Sequence, residues 1–283
     1  MPERDLVREW ALVLESQGIE AHIARQPDGW ELVVHPRDAD RAAQALDAYA
    51  RENAARERAT VPDVWPMRPH LPLLTALLML AFHAASGPWA AASRWFDAGA
   101  ANAALIRQGE WWRTVTALTL HADLGHVMAN AVSLVLFGTA VASVFGSGLG
   151  MLLVLWSGAA GNAVNAWLRW HPYGGVGAST AVFGALGLLV GAQVARPRPG
   201  QGRRFTALVS GVLLLVLLGM GEHTDVVAHV LGFCAGLATG AAVAGRVNRA
   251  SGTPAQAAWA LAAAALVAGC WWLALGDAGG LQP

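Results

Sequence analysis

Seven apolar runs of bilayer length dominate this chain and leave it few folds to adopt. They lie at about 71–86, 124–145, 148–168, 177–195, 206–220, 226–246 and 257–275, and about 20 apolar residues suffice for a helix to cross a hydrocarbon core. The first and fifth runs are the shortest. Hydrocarbon offers no partner to a bare backbone N–H or C=O, so runs of this kind are expected to be helical. Composition agrees: 55% of residues are hydrophobic and 13% charged, against about a quarter charged in an ordinary soluble domain. The expected fold class is an all-α multi-pass membrane protein. Residues 87–123, between the first two runs, are too polar to cross. There Trp89, Trp95, Trp111 and Trp112 are interleaved with Arg94, Arg107 and Arg113, a composition suited to the membrane–water interface.

Residues 1–60 read as a separate, small α+β unit. DLVREWALVLESQG has helical periodicity, with Leu6, Trp10, Val13 and Leu14 expected on one stripe. IEAHIARQ and WELVVHP flank the turn signal PDG and predict a hairpin. A second helix is expected from Asp38 toward Glu57, with Ala42, Ala43, Leu46 and Tyr49 facing inward. The Pro-rich piece 61–70 reads as a linker, 71–246 as a six-span core, and 247–283 as a loop and seventh span. The N-terminus carries no apolar signal-peptide region. Arg196, Arg198, Arg203, Arg204, Arg246 and Arg249 fall between spans on the same side as the Arg-rich N-terminal unit. The positive-inside rule then places the N-terminus in the cytoplasm and the C-terminus outside, in the cell (inner) membrane. Net charge is zero, which argues against a nucleic-acid partner.

Spans two, four and six all start on the outer side, and each carries its unusual polar residues near that start. His126 and Asn130 share a face of span two, Ser179 opens span four, and His229 lies one turn into span six. At about 1.5 Å rise per residue these four groups fall within one to two turns of the same depth. Each has a bland reading. A membrane-helix serine commonly back-bonds to a carbonyl one turn earlier, and a lone histidine serves as an interhelical hydrogen bond. Gly184, Gly187 and Gly191, with the Gly232/Gly236 pair, read as close helix packing. Taken together, however, the set has the parts of acyl transfer. Ser179 would be the nucleophile, His229 its base, and His126 and Asn130 donors for an oxyanion together with the Ser179 backbone N–H. The chain contains no lysine, which removes a Ser–Lys pair. It has no H-E-x-x-H for zinc and no aspartate deep in a span, so no metal or cofactor is called for. Asp225, four residues before His229, reads as a helix cap, leaving a Ser–His dyad. Cys234 and Cys270, both in apolar runs, read as packing residues.

The ordered set WWRTVTALTLHADLGHVMAN, GAST and AHVLG followed by GFCAG resembles the rhomboid family of intramembrane serine proteases, over about residues 71–246. The resemblance implies a rhomboid-like bundle of six spans plus one. It implies Ser179 as nucleophile, His229 as general base and acid, and His126 and Asn130 as oxyanion donors. It gives His121 a structural part, makes Trp112 and Arg113 an interfacial element, and sets Phe183 against the ring of the base. Gly177 keeps the backbone before the serine unobstructed. Thr180 stands where glycine is commonest in the motif and threatens to crowd the site. The implied substrates are transmembrane helices of other proteins, entering from the lipid bilayer past span five. The alternative is a non-proteolytic relative that binds membrane clients. Oligomeric state is not legible.

Overall fold

The computed structural model describes residues 4–27, 29–57, 68–169, 174–195, 225–246 and 252–278. The chain divides into two compact units, Met1–Asp63 and Val64–Pro283.

The smaller unit runs α1 (Arg4–Ser16), β1 (Ala21–Gln26), β2 (Gly29–Val34) and α2 (Ala39–Glu57). The strands pair antiparallel from Ala21 opposite Val34 to Gln26 opposite Gly29. One face of the hairpin, with Ala21, Leu32 and Val34, packs on Leu14, Ile19, Ala42, Ala45 and Leu46. Two inward-facing positions differ from expectation. Val7 and Leu14 are fully buried whereas Leu6 is exposed, because seven residues return a helix to within about 20° of the same direction and eight overshoot by about 80°. On α2, Ala43 is exposed and Ala45 packs inward instead.

The larger unit is a helical membrane bundle. Its elements are α3 (His70–Ser86), α4 (Arg94–Gly99), β3 (Ala101–Asn102), α5 (Ala103–Arg107) and α6 (Arg113–Thr116). There follow α7 (Leu124–Phe145), α8 (Ser147–Leu168), β4 (Gly174–Gly175), α9 (Ser179–Ala195), α10 (Val226–Ala244) and α11 (Thr253–Ala278). Among the described residues, five helices are long and apolar enough to cross a membrane: α3, α7, α8, α10 and α11. The 17-residue α9 is a shorter apolar helix. The span expected at 206–220 lies outside the described residues. The 22 residues of α7 give a rod of about 33 Å. Its buried stripe of Val127, Leu134 and Val141 recurs every seven residues and packs with Val154 of α8 and Val182, Ala185 and Leu188 of α9. Its opposite face exposes Val132 and Leu136, as suits a helix wetted by lipid.

Two contacts set how closely the helices approach. Between α9 and α10 the surfaces meet backbone on backbone. A methyl group added at Gly187 would overlap the carbonyl oxygen of Phe233, one at Gly191 that of Leu237, one at Gly236 that of Gly184 and one at Gly240 that of Leu188. Small residues permit this approach where lipid gives helices no hydrophobic reason to associate. Helix α11 docks at both ends. The side-chain carbonyl of Gln256 accepts the otherwise orphaned N–H groups of Gly148 (2.9 Å) and Leu149 (3.1 Å) at the start of α8. Near its other end, the Trp271 ring lies against Gly99 and against Phe82 and Trp95, with ring centroids 5.2 and 5.3 Å away.

Candidate active site

Ser179 is the first residue of α9, so its hydroxyl has no preceding helical turn to bond. The contrast lies within the same bundle. Ser157 donates to Leu153 O (2.8 Å) and Ser143 to Ala140 O (2.7 Å), as membrane-helix serines ordinarily do. The turn before Ser179 is held from one side. Gly177 N–H donates to Ala117 O (2.9 Å), and Ala178 N–H donates to His121 Nε2 (3.3 Å). His121 lies outside the spanning helices and is fully buried. Burial above all, then His126 and His83, lowers its pKa from 6.5 to about 3. The ring is therefore neutral at ordinary pH, as an acceptor nitrogen requires. Gly177 has φ +125°, a conformation closed to other residues without strain.

Across from this turn stands the N-terminal end of α7. Asp123 caps that helix by accepting the His126 N–H (2.8 Å), which places His126 in its first turn. The imidazole lies so near Gly177 that a Cβ there would be 2.6 Å from both Cε1 and Nε2. Asn130, one turn on, is 5% exposed and donates through Nδ2 to His126 O (3.1 Å). From α10 comes His229, also 5% exposed. Its ring faces Phe183 with centroids 4.4 Å apart and planes 35° from parallel. Ser179, His229, His126, Asn130, Phe183 and Gly177 line a single cavity of about 910 Å³. Among the described residues Ser179 Oγ and His229 do not share a hydrogen bond; such bonds are often long until substrate is bound.

Thr180 is placed by the packing. It is 4% exposed, and its Cγ2 fills the space that Gly161 of α8 and Gly232 of α10 leave by having no side chain; a Cβ at either would stand 2.8 or 2.9 Å from that methyl. The β-branch thus sits in a three-helix seam whose other two members are glycines.

Asp225 caps α10 by accepting the Ala228 N–H (3.1 Å), and it also binds partners that sequence reading missed. Asn165 Nδ2 donates to its Oδ2 (2.8 Å) and Arg169 Nη2 to its Oδ1 (2.5 Å). Asn165 is fully buried. The signal was a polar pair, N-x-x-x-R, at the C-terminal end of span three, one turn apart and therefore on one face. A third missed residue, Asn162, donates to Thr114 O (2.9 Å) and ties α8 to α6. Arg113 is 7% exposed. It donates through Nη1 to Asp97 O (2.9 Å) and Ala100 O (3.0 Å) and pairs with Glu110 through Nε (2.5 Å), pinning α4 and α6 together. Trp112 lies beside it, with a buried indole N–H that has no hydrogen-bond partner among the described residues. His121, Trp112 and Arg113 lie outside the cavity lining. Among the described residues, no group of three His, Cys, Asp or Glu side chains is arranged to hold a metal ion.

A family model described as the rhomboid domain matches residues 108–246. Residues 108–246 thus carry a rhomboid domain. The rhomboid match opens just after α5 and closes just after α10, so it takes in every residue of the cavity described above except Trp89 and Ala101. The small N-terminal unit, α3 and α11 lie outside it. Similar proteins include the rhomboid protease GluP of Bacillus subtilis, 33% identical over 148 residues, which are 51% of this chain and 28% of that protein. RHOMBOID-like protein 5 of Arabidopsis thaliana is 33% identical over 147 residues, 50% of this chain and 47% of its own length. Rhomboid-like protease 2 of Toxoplasma gondii is 30% identical over 139 residues, covering 48% and 49%. The chain thus spans about half or less of each of these rhomboid relatives.

Proposed function

We propose that this protein is an intramembrane serine endopeptidase that cuts peptide bonds in or near transmembrane helices of other membrane proteins. The observation that carries the reading is the single cavity where Ser179 and His229 meet His126 and Asn130, in a chain whose relatives include proteins named rhomboid proteases. Ser179 Oγ attacks the scissile carbonyl carbon while His229 takes the hydroxyl proton. His126, Asn130 and backbone N–H groups at the α9 N-terminus donate to the oxyanion that forms. His229 then returns the proton to the departing amine. Water in the cavity, activated by the same imidazole, hydrolyses the acyl-enzyme and frees Ser179. Phe183 limits the base's ring to one orientation by stacking. The substrate helix must open locally, because its carbonyls are otherwise hydrogen-bonded within the helix. Small and helix-weakening residues are expected at the cut.

Within this reading, residues 71–246 form the protease core, with the N-terminus cytoplasmic and the C-terminus outside. The test is cleavage of a model transmembrane substrate by the purified protein, together with labelling of Ser179 by a fluorophosphonate. Wild type should cleave and label, and Ser179→Ala and His229→Ala should each abolish cleavage. Full cleavage by either variant would refute the dyad. Client binding without labelling would favour a non-proteolytic role.

A further inference from the structure

Helix α11 lies outside the family match, yet it reaches the segment that holds the nucleophile's turn. Trp271 Nε1–H donates to Thr119 Oγ1 (3.1 Å), and the same hydroxyl donates to Thr116 O (2.7 Å). Thr116 in turn donates to Gly99 O (2.7 Å), the glycine on which the Trp271 ring rests, where a Cβ would overlap the ring. Residues 116–121 are thereby clamped on their outer side. Their inner side supplies Ala117 O to the Gly177 N–H and His121 Nε2 to the Ala178 N–H, the two residues immediately before Ser179. Two hydrogen bonds and one rigid segment separate Trp271 from the backbone that presents the nucleophile.

We infer that Trp271 is a positioning residue for the oxyanion turn, so that the C-terminal helix takes part in setting the geometry of acyl transfer. This rests on the protease reading above. The Trp271 ring is held by Phe82 and Trp95, so its N–H is a fixed donor. Through Thr119 it opposes rotation of the 117–121 segment away from Gly177. Gln256 is the counterpart at the opposite end of α11. It caps α8 and has no bond to the 116–121 segment among the described residues.

The experiment compares Trp271→Phe, which keeps an aromatic ring but removes the N–H, with Thr119→Val, Thr119→Ser and Gln256→Leu. Two readouts are taken in proteoliposomes: the second-order rate of fluorophosphonate labelling at Ser179, and hydrogen exchange of the Gly177 and Ala178 amides. Trp271→Phe and Thr119→Val should each slow labelling by roughly three- to tenfold, the range of one lost neutral hydrogen bond. They should also raise exchange at both amides, and the double variant should be no worse than either single one. Thr119→Ser should match wild type. Gln256→Leu should lower thermal stability and leave both readouts unchanged. Unchanged amide exchange in Trp271→Phe overturns the inference, whether or not Ser179 labels. An equal effect from Gln256→Leu overturns it too, since general loosening of α11 would then suffice. Failure of wild type to label refutes the protease reading instead, and the exchange measurement still decides the coupling.

Discussion

Replacing Gly177 by alanine should disable the site through one collision. The added Cβ would stand 2.6 Å from His126 Cε1 and Nε2, where carbon contacts settle near about 3.5 Å; about 0.9 Å must be found. Neither side yields easily. Gly177 is fixed by its bond to Ala117 O and its neighbour by His121, while His126 sits in a capped first helical turn. The φ of +125° adds backbone strain of about 1–3 kcal/mol for a residue with a Cβ. A displacement near 1 Å between reacting groups costs on the order of 10²-fold in rate. Gly177→Ala should therefore label Ser179 about a hundredfold more slowly, with turnover falling more than substrate affinity. A double-mutant cycle isolates the cause. In a His126→Ala background the obstacle is gone, so Gly177→Ala should add only the strain term to whatever His126→Ala costs by itself. A full hundredfold loss in both backgrounds would refute the collision, and wild-type turnover in Gly177→Ala would refute the placement of His126 beside the oxyanion turn.

Four further outcomes follow from the same geometry. Gly232→Ala would overlap Thr180 O, so it should destabilise the bundle by about 1–3 kcal/mol and reduce labelling; Gly240→Ala, at the far end of the same seam, should lower the melting temperature with less effect on labelling. Arg169→Gln removes a guanidinium that pairs with Asp225 and should cost about 1–3 kcal/mol, read as a lower melting temperature that Asp225→Asn partly restores in the double variant. His121, with a folded pKa of about 3 against 6.5 unfolded, binds more protons when unfolded between those values. Stability should thus fall as pH drops through that window, by up to about 1.4 kcal/mol per pH unit, and His121→Gln should flatten the slope in denaturant titrations at pH 4–7. Arg113→Lys retains the charge but loses the planar fork that reaches Asp97 O, Ala100 O and Glu110, so it should behave as a destabilised variant instead of a silent one.

The bilayer explains why so much of the larger unit was legible. It imposes a length on every span, so α7 and α8 were readable from hydropathy to within a residue, and Ser179, His229, His126 and Asn130 could be matched by depth before any packing was known. The partners of Asp225 were hidden because Asn165 and Arg169 approach it from another helix, at a distance in sequence that no local pattern encodes. Thr180 was illegible for the same reason: whether a β-branch crowds the site depends on Gly161 and Gly232, and each of those reads only as a small residue. In the soluble unit, Leu6 and Val7 are equally apolar neighbours. Choosing between them needed the helix phase relative to Leu14.

The cluster of Phe82, Trp95 and Trp271, with edge-on rings 5.2–5.3 Å apart, joins α3, α4 and α11. Aromatic groups locked in so asymmetric an array generate near-ultraviolet circular dichroism, a signal lost when fixed tertiary packing is lost. The docking of the C-terminal helix therefore contributes a share of that signal, which the difference between wild type and Trp271→Phe isolates from the other tryptophans. Its melting can be followed without a dye or an introduced label and compared with that of the backbone helices at far-ultraviolet wavelengths.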